Sequence, residues 1–393
     1  MSSVERLISP FDRQVAPKPL RILEIGDEIL FKRGVPDQTD FFWTGYRPRG
    51  KINIAFGPFA FLRALRRLRR NEYDLLVVHV PLYPPWHPRV VLTVLRDWRL
   101  YAPRGLFAVF AWWLVQRFHR VPMVAIDVND SFGIGRHAFR LIDACAGYFK
   151  RELPADRWQV FFKSGHMNLP GLRWRKKRKS RERLAKLHPL SYGSPNPVEP
   201  VGETTKSSDV FFAGAIIGNS TPRSDGIEEL LALREEGYVL DIPDGRLSMA
   251  EFHRRIAKAW LAWSPGGLGW DCSRHYEIAW LGTVPLMNYP TIVRDRPLLD
   301  GEHCILYAVE PGGLARAVRQ ALTDKPRLAR IGAAAAAHAF AHHTAKARAE
   351  RVAVIALGRR LDGHAERAHH EINASAPHLC VPPLADAKGT TKL

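Results

Sequence analysis

Short apolar runs that stop at a glycine or a polar residue alternate with stretches of helical period along the chain, a pattern that predicts parallel β-strands joined by helices. Residues 20–25 (LRILEI) end at Gly26, the form of a first strand feeding a loop toward a ligand crevice. Residues 73–80 (YDLLVVHV) are continuously apolar and partly β-branched, which suits a central strand buried on both faces. Residues 122–128 (PMVAIDV) and 144–150 (ACAGYFK) read as the third and fourth strands. Between the first two, Phe59, Leu62, Leu65 and Leu68 recur every three residues while Arg63, Arg66, Arg67, Arg69 and Arg70 fill the other face, so residues 58–70 are expected as a basic amphipathic helix. Residues 31–51, rich in Gly, Pro and aromatics (Phe41, Phe42, Trp43, Tyr46), read as a loop whose rings either pack or line an acceptor cleft.

A Pro- and Gly-rich stretch, residues 192–206, reads as a linker, and a second set of strands and helices follows it. Residues 209–213 (DVFFA) end at Gly214. A polar loop through Asn219 and Arg223, a helix over 226–236 and a strand over 238–242 come next. Ser248 and Glu251 stand at capping-box spacing at the head of a helix over 248–259. Residues 260–290 then give a short strand, a Gly-rich loop, a helix from about Ser273 and a strand over 283–287. A strand over 304–307 and helices over 312–322 and 326–357 complete the pattern, and from residue 358 the chain is polar. The expected organisation is α/β with two Rossmann-like domains, a basic one over residues 1–195 and a second over 196–357, and a flexible tail over 358–393.

The Gly-rich loop carries the clearest candidate chemistry. Gly266, Gly267 and Gly269 let backbone approach a ligand, and the loop opens a helix whose unpaired N–H groups favour an anion. Ser273 is read as the N-cap, and Arg274 and Glu277 project from the first helical turn, a cation for a pyrophosphate and a carboxylate for a ribose. An ordinary βαβ turn with a surface Arg274–Glu277 pair is the other reading. In the first half, His79, Asp127 and Asp130 fall at strand ends, where open α/β sheets bind ligands. Asp127 or Asp130 can take a proton from an incoming hydroxyl; a helix cap for Asp130, and a core histidine with a backbone partner for His79, stand beside these readings.

The run Gly269, Asp271, Ser273, Arg274, Glu277, Ile278, Ala279, Gly282, Val284, Pro285 resembles the C-terminal motif of GT-B glycosyltransferases, in particular the exostosin-like and CgeB-like branches. The resemblance implies that Glu277 holds the ribose and Arg274 the phosphates. Residues 211–214 (FFAG) followed by Arg223 resemble the first strand and turn of the same nucleotide domain, which makes Gly214 and Arg223 phosphate-side candidates with Gly267. Residues 148–152 (YFKRE) resemble a run in CgeB-like proteins. The resemblance further implies two domains facing a cleft and a last helix that crosses back to the first. Retaining members with paired glutamates carry one eight positions before the ribose glutamate; here that position is Gly269, so retention or inversion stays open.

Composition narrows the alternatives. A G-x-G-x-x-G after the first strand is missing, as is a P-loop, so neither a dinucleotide dehydrogenase nor a P-loop phosphotransferase fits. The four cysteines form no close pair, and His338, His342 and His343 have no third ligand nearby in sequence, so no metal is expected. The N-terminus has no apolar signal core, and the longest apolar run, residues 105–115, is too short to span a bilayer, so a cytoplasmic location is expected.

Residues 1–195 hold 35 Lys+Arg against 16 Asp+Glu, while the remainder holds 23 of each. All the excess charge of +19 therefore lies in the first half, including residues 58–70 and 173–183 and the Trp/Arg-rich residues 84–120. Such a field attracts anionic lipid, acidic glycan or nucleic acid. The reading is a metal-independent glycosyltransferase with no cofactor beyond its nucleotide-sugar donor. Its acceptor is a glycan or lipid-linked, in cell-surface polysaccharide synthesis, and an anionic membrane face is a candidate docking partner. No specific nucleic acid is expected, since no nucleic-acid module is recognisable. The alternative is a non-enzymatic basic protein that binds nucleic acid or an anionic surface through a degenerate nucleotide fold.

Overall fold

The computed structural model describes residues 17–43, 58–81, 87, 88, 91, 92, 95, 120–162, 179–194, 205–215 and 220–366. The first sheet is built from β1 (Ile22–Gly26), β2 (Thr39–Trp43), β3 (Leu75–His79), β4 (Met123–Asp127), β5 (Gly147–Lys150) and β6 (Leu187–Pro189), in the order β2-β1-β3-β4-β5-β6. β1 is parallel to β2 and β3, and β3 to β4. β1, β3 and β4 are buried along their whole length, as continuous apolar runs require when both faces of a sheet are covered. Around them lie α1 (Phe31–Gly34), the basic helix α2 (Pro58–Arg69) and α3 (Phe139–Ala144).

The loop expected over residues 31–51 is instead α1 and then the edge strand β2 as far as residue 43. Phe41, Phe42 and Trp43 are all buried, so these rings pack rather than line a cleft. Five residues beside Gly and Pro are too few to show a period in sequence. Tyr46 lies outside the described residues. β6 and α3 were likewise not marked by any sequence period.

The second sheet runs β11-β10-β9-β7-β8, from β7 (Ser208–Phe211), β8 (Leu240–Asp241), β9 (Ala259–Trp263), β10 (Val284–Asn288) and β11 (Ile305–Tyr307), and every pairing is parallel. The chain steps from β7 outward to β8 and returns to the other side of β7 for β9. The loops leaving β7 and β9 therefore diverge at a topological switch point, where open α/β sheets present a crevice. The core beneath is Val210, Phe212, Leu261, Trp263 and Leu286 against Leu230, Leu314 and Val318.

After α4 (Ser180–Ala185), the helices of this part are α5 (Thr221–Glu235), α6 (Met249–Ala257), α7 (Ser273–Trp280), α8 (Gly313–Leu322) and α9 (Lys325–His342). α5 begins earlier than the pattern suggested: Ser220 is its N-cap residue and Pro222 lies in the first turn, where a missing N–H costs nothing. Arg223 thus stands on a helix rather than in a loop. The basic stretch over 173–183 turns helical at α4, and Arg183 is buried; residues 163–178 lie outside the described residues.

The helix expected over 326–357 is two. α9 stops at His343, whose backbone leaves the helical region, and α10 (Ala345–Leu357) follows. The division into two compact units falls at this break. Described residues from 17–127, 137–149 and 345–366 make up the first unit, and those from 128–136 and 150–344 the second. The chain thus returns to its first unit at α10, which packs on α1: Gly34 meets the backbone of Ala345 where a Cβ would stand. Residues 358–366, expected as the start of a tail, belong to this unit, with Leu361 buried and its carbonyl accepting from Leu20 N at 2.9 Å. Residues 150–162 and 179–194, expected with the first domain, pack in the second unit through Glu152 and Tyr192.

Candidate functional site

The two loops at the switch point of the second sheet are held open by glycine. A Cβ on Gly214, just past β7, would stand 3.2 Å from both terminal nitrogens of Arg274, and the Arg274 guanidinium lies 5.9 Å from the Phe212 ring centre. A Cβ on Gly267, past β9, would stand 2.7 Å from Arg223 Nη2, a distance that forces the arginine aside. Each arginine, carried by the helix that follows one loop, thus covers a glycine of the other. The loop after β9 is fixed from behind: Ser220 Oγ donates to Gly266 O at 2.6 Å, Gly266 N donates to Asn288 Oδ1 at 2.8 Å, and Gly267 N donates to Gly269 O at 2.8 Å.

Arg223 Nη1 donates to Ala215 O at 3.2 Å, yet Arg223 Nε and Arg274 Nη1 are buried with no hydrogen-bond partner among the described residues. Burial, together with the Arg274 charge, holds the Arg223 guanidinium below its ordinary range. Two cations side by side with unsatisfied N–H groups are an arrangement that an anion relieves. Glu277, one turn into α7, is buried, and its carboxyl is held above the usual carboxylate range by burial and by Cys272, against pulls from Ser273 and Arg274. The residue that caps α7 is Cys272, which is extended, while Ser273 is already the first helical residue. Gly214, Arg223, Gly267, Ser273, Arg274 and Glu277 are in this way gathered in one unit around one helix start.

The three candidate acid–base residues are placed differently. In the first unit, His79 Nε2 lies 2.8 Å from Glu24 Oε1, and Glu24 also accepts from the backbone N–H of Leu30 (2.8 Å), Phe31 (3.1 Å) and Lys32 (2.8 Å). The partner of His79 is thus a carboxylate that also caps α1, rather than a backbone group; His79 Nδ1 has no partner among the described residues. Asp127 accepts from Tyr148 OH at 2.8 Å, and burial raises the Tyr148 phenol well above its ordinary range. Asp130, in the second unit, accepts from Arg151 Nη2 and so sits in an ion pair rather than capping a helix. His338 Nε2 and His343 Nε2 each lie 2.9 Å from Arg296 O, and among the described residues no group of His, Cys, Asp or Glu is placed to hold a metal.

No protein-family model matches the chain, and no curated protein is similar to it in sequence. Solved structures similar to it include the sucrose-phosphate synthase of Thermosynechococcus elongatus, 12% identical over 84% of this chain and 97% of that one, with a TM-score of 0.45. HepE of Anabaena, in complex with UDP and glucose, is 12% identical over 85% and 98%, with a TM-score of 0.47. A glycosyltransferase of Rickettsia africae is 7% identical over 86% and 98%, also at 0.47. The likeness is one of fold.

Two groups at the site escaped sequence reasoning. Glu152 is fully buried and accepts from Trp270 N at 3.0 Å and Asp271 N at 2.9 Å; its Oε1 lies 2.5 Å from where a Cβ on Gly269 would be. Burial pushes its carboxyl up to about 7, helped by Asp271 and opposed by Arg151 and the two N–H groups. Asp271 is spent on structure, accepting from Tyr192 N at 2.5 Å and Tyr276 OH at 2.7 Å. The second group is Cys272 with His275 and Ser264. Cys272 showed only as an unpaired cysteine in sequence, and nothing there tied it to a histidine three residues on.

Proposed function

We propose that the chain is a glycosyltransferase that moves a sugar from a nucleotide-sugar donor to a glycan or lipid-linked acceptor, without a metal, in cell-surface polysaccharide synthesis. The observation that carries this reading is the pair Arg223 and Arg274, with buried N–H groups lacking partners, across two glycine turns at the switch point of the second sheet. Transfer breaks the bond from the anomeric carbon to the diphosphate, and negative charge grows on the leaving oxygen. Two guanidinium groups and the start of α7 stabilise that charge, the job a divalent cation does elsewhere. Glu277 accepts from ribose hydroxyls. The acceptor proton goes to one of Asp130, Asp127 and His79. The exostosin-like and CgeB-like run around Arg274 and Glu277 supports the same assignment.

We place the protein in the cytoplasm, docked on the inner face of the membrane. α2 exposes Phe59 and Leu62 together with Arg63, Arg66 and Arg69, and Arg70 follows its last residue; Arg67 pairs with Asp40 and Glu72, and Arg70 with Glu72. Apolar side chains flanked by arginines suit an anionic lipid surface, where each cation is worth about 1 kcal/mol. No described helix is long and apolar enough to cross a membrane. Liposome flotation tests docking: binding requires anionic lipid, weakens with salt, and drops when Arg66, Arg69 and Arg70 become Gln. The transferase reading is tested by a panel of nucleotide sugars with chelator present, reading released nucleotide. Release from one or more donors supports it, and no release or binding with any donor contradicts it.

A further inference from the structure

Cys272 is set in a group that the transfer reaction does not use. Its Sγ lies 3.7 Å from both Nδ1 and Nε2 of His275, and 3.8 Å from Ser264 Oγ. His275 is buried, and its Nε2 lies 2.9 Å from Trp270 O, a group that only accepts, so Nε2 carries a proton. Its Nδ1 lies 2.8 Å from Ser264 Oγ, a hydroxyl that serves equally as donor or acceptor, so the ring gains or loses its second proton without moving. Cys272 is the N-cap residue of α7, though its side chain makes no capping hydrogen bond; at that position the helix dipole favours a negative group, and Arg223, Arg274 and Glu277 interact with it electrostatically. Burial alone would push this thiol up, but His275 and Arg274 bring it down to about 6; the thiolate in turn raises the histidine against its own burial. Of the three described cysteines Cys272 is the one not fully buried, whereas Cys145 and Cys304 are buried and burial pushes the Cys304 thiol up.

We propose that Cys272, packed against the His275 ring at the start of α7, is a site of covalent modification by small electrophiles, and that its adduct closes the anion site beside it. With a haloacetamide, the S–C bond forms as the carbon–halogen bond breaks and halide leaves. With hydrogen peroxide, the S–O bond forms, the O–O bond breaks and hydroxide leaves, so that sulfur is oxidised to a sulfenic acid and the peroxide is reduced. The adduct stands at the start of α7, where the diphosphate would approach Arg223 and Arg274. This closing effect rests on the donor reading; the reactivity of the thiol does not.

Iodoacetamide treatment of the intact chain between pH 5 and 9, with mass spectrometry of each cysteine-containing peptide, tests the reactivity. Cys272 is expected to react at half its maximal rate near pH 6, to plateau above about pH 7, and to outpace Cys145 and Cys304 at least ~10-fold at pH 6.5. His275→Gln is expected to move the inflection toward the ordinary thiol range. An inflection above pH 8 in the unsubstituted protein, or no adduct at Cys272, overturns the proposal whether or not the variant folds. Calorimetry with UDP before and after alkylation tests the closing effect, with affinity expected to fall at least ~10-fold. Unchanged affinity overturns it. Unmodified protein that binds no nucleoside diphosphate contradicts the donor reading instead, and the pH profile still decides the thiol.

Discussion

The carboxyl ends of the two sheets treat charge in opposite ways. Beside β3, Glu24 gathers the His79 ring and three backbone N–H groups, so that both carboxylate oxygens are used within the fold. Past β7 and β9, Arg223 and Arg274 lie against glycines and repel each other; Glu277 pulls on Arg274 without an ion pair among the described residues, and two buried nitrogen atoms are unpartnered among those residues. A buried polar group without a partner destabilises the fold, and two like charges add to that. The first cluster therefore stabilises α1, while the second is an arrangement that a bound anion would relieve. Within the second unit, Glu152 follows the first pattern, capping the turn at Trp270 and Asp271.

Breaking a satisfied cluster gives the largest effect. Glu24→Ala strands three backbone donors and the His79 ring, and is expected to cost about 3 kcal/mol or more in urea unfolding. The next effect is a pH dependence. The folded Glu152 carboxyl titrates at about 7 against 4.5 for the ordinary group, so the folded state holds a proton that the unfolded chain has lost. Stability from this group is complete below about pH 4.5 and is lost as pH rises through about 7. The stability of the unsubstituted protein relative to Glu152→Gln should therefore fall by up to about 3 kcal/mol across that window, read from paired denaturation curves.

Substitution at the unsatisfied cluster should behave the other way. Arg274→Met is expected to leave the unfolding midpoint unchanged or raised. It should also weaken nucleoside diphosphate binding by about 10- to 100-fold, the worth of one charge-assisted contact of about 1.5–3 kcal/mol. The smallest effect belongs to Ser248, whose Oγ accepts from Glu251 N at 3.2 Å at the head of α6. Ser248→Ala is expected to cost about 1 kcal/mol of stability with nucleotide binding untouched.

Long apolar runs made β1, β3, β4, β9 and β10 legible in the sequence, because a strand covered on both faces needs no polar positions. Short edge elements are not: β2 and β6 carry too few residues for a period, and Pro222, which lies in the first turn of a helix, stands in a stretch that reads as loop. At the site, Arg274, Glu277 and the glycines stand in one local stretch and were visible together. Glu152 was not, since it reaches Trp270 and Asp271 across more than a hundred positions of sequence. Cys272 and His275 are close in sequence, yet only the helix cap and the Trp270 and Ser264 contacts make them a pair. The side chains that use His79, Asp127 and Asp130 also lie far off in sequence: Glu24 by 55 positions, and Tyr148 and Arg151 by 21 each.

The central claim is that Arg223 and Arg274 await a diphosphate, and titration calorimetry with UDP in the presence of chelator tests it most directly. Binding at one site in the unsubstituted protein, at least ~100-fold weaker in the double variant Arg223→Met/Arg274→Met with its unfolding midpoint retained, is the expected result. Equal affinity in the two proteins, or binding that disappears with chelator, would contradict the account.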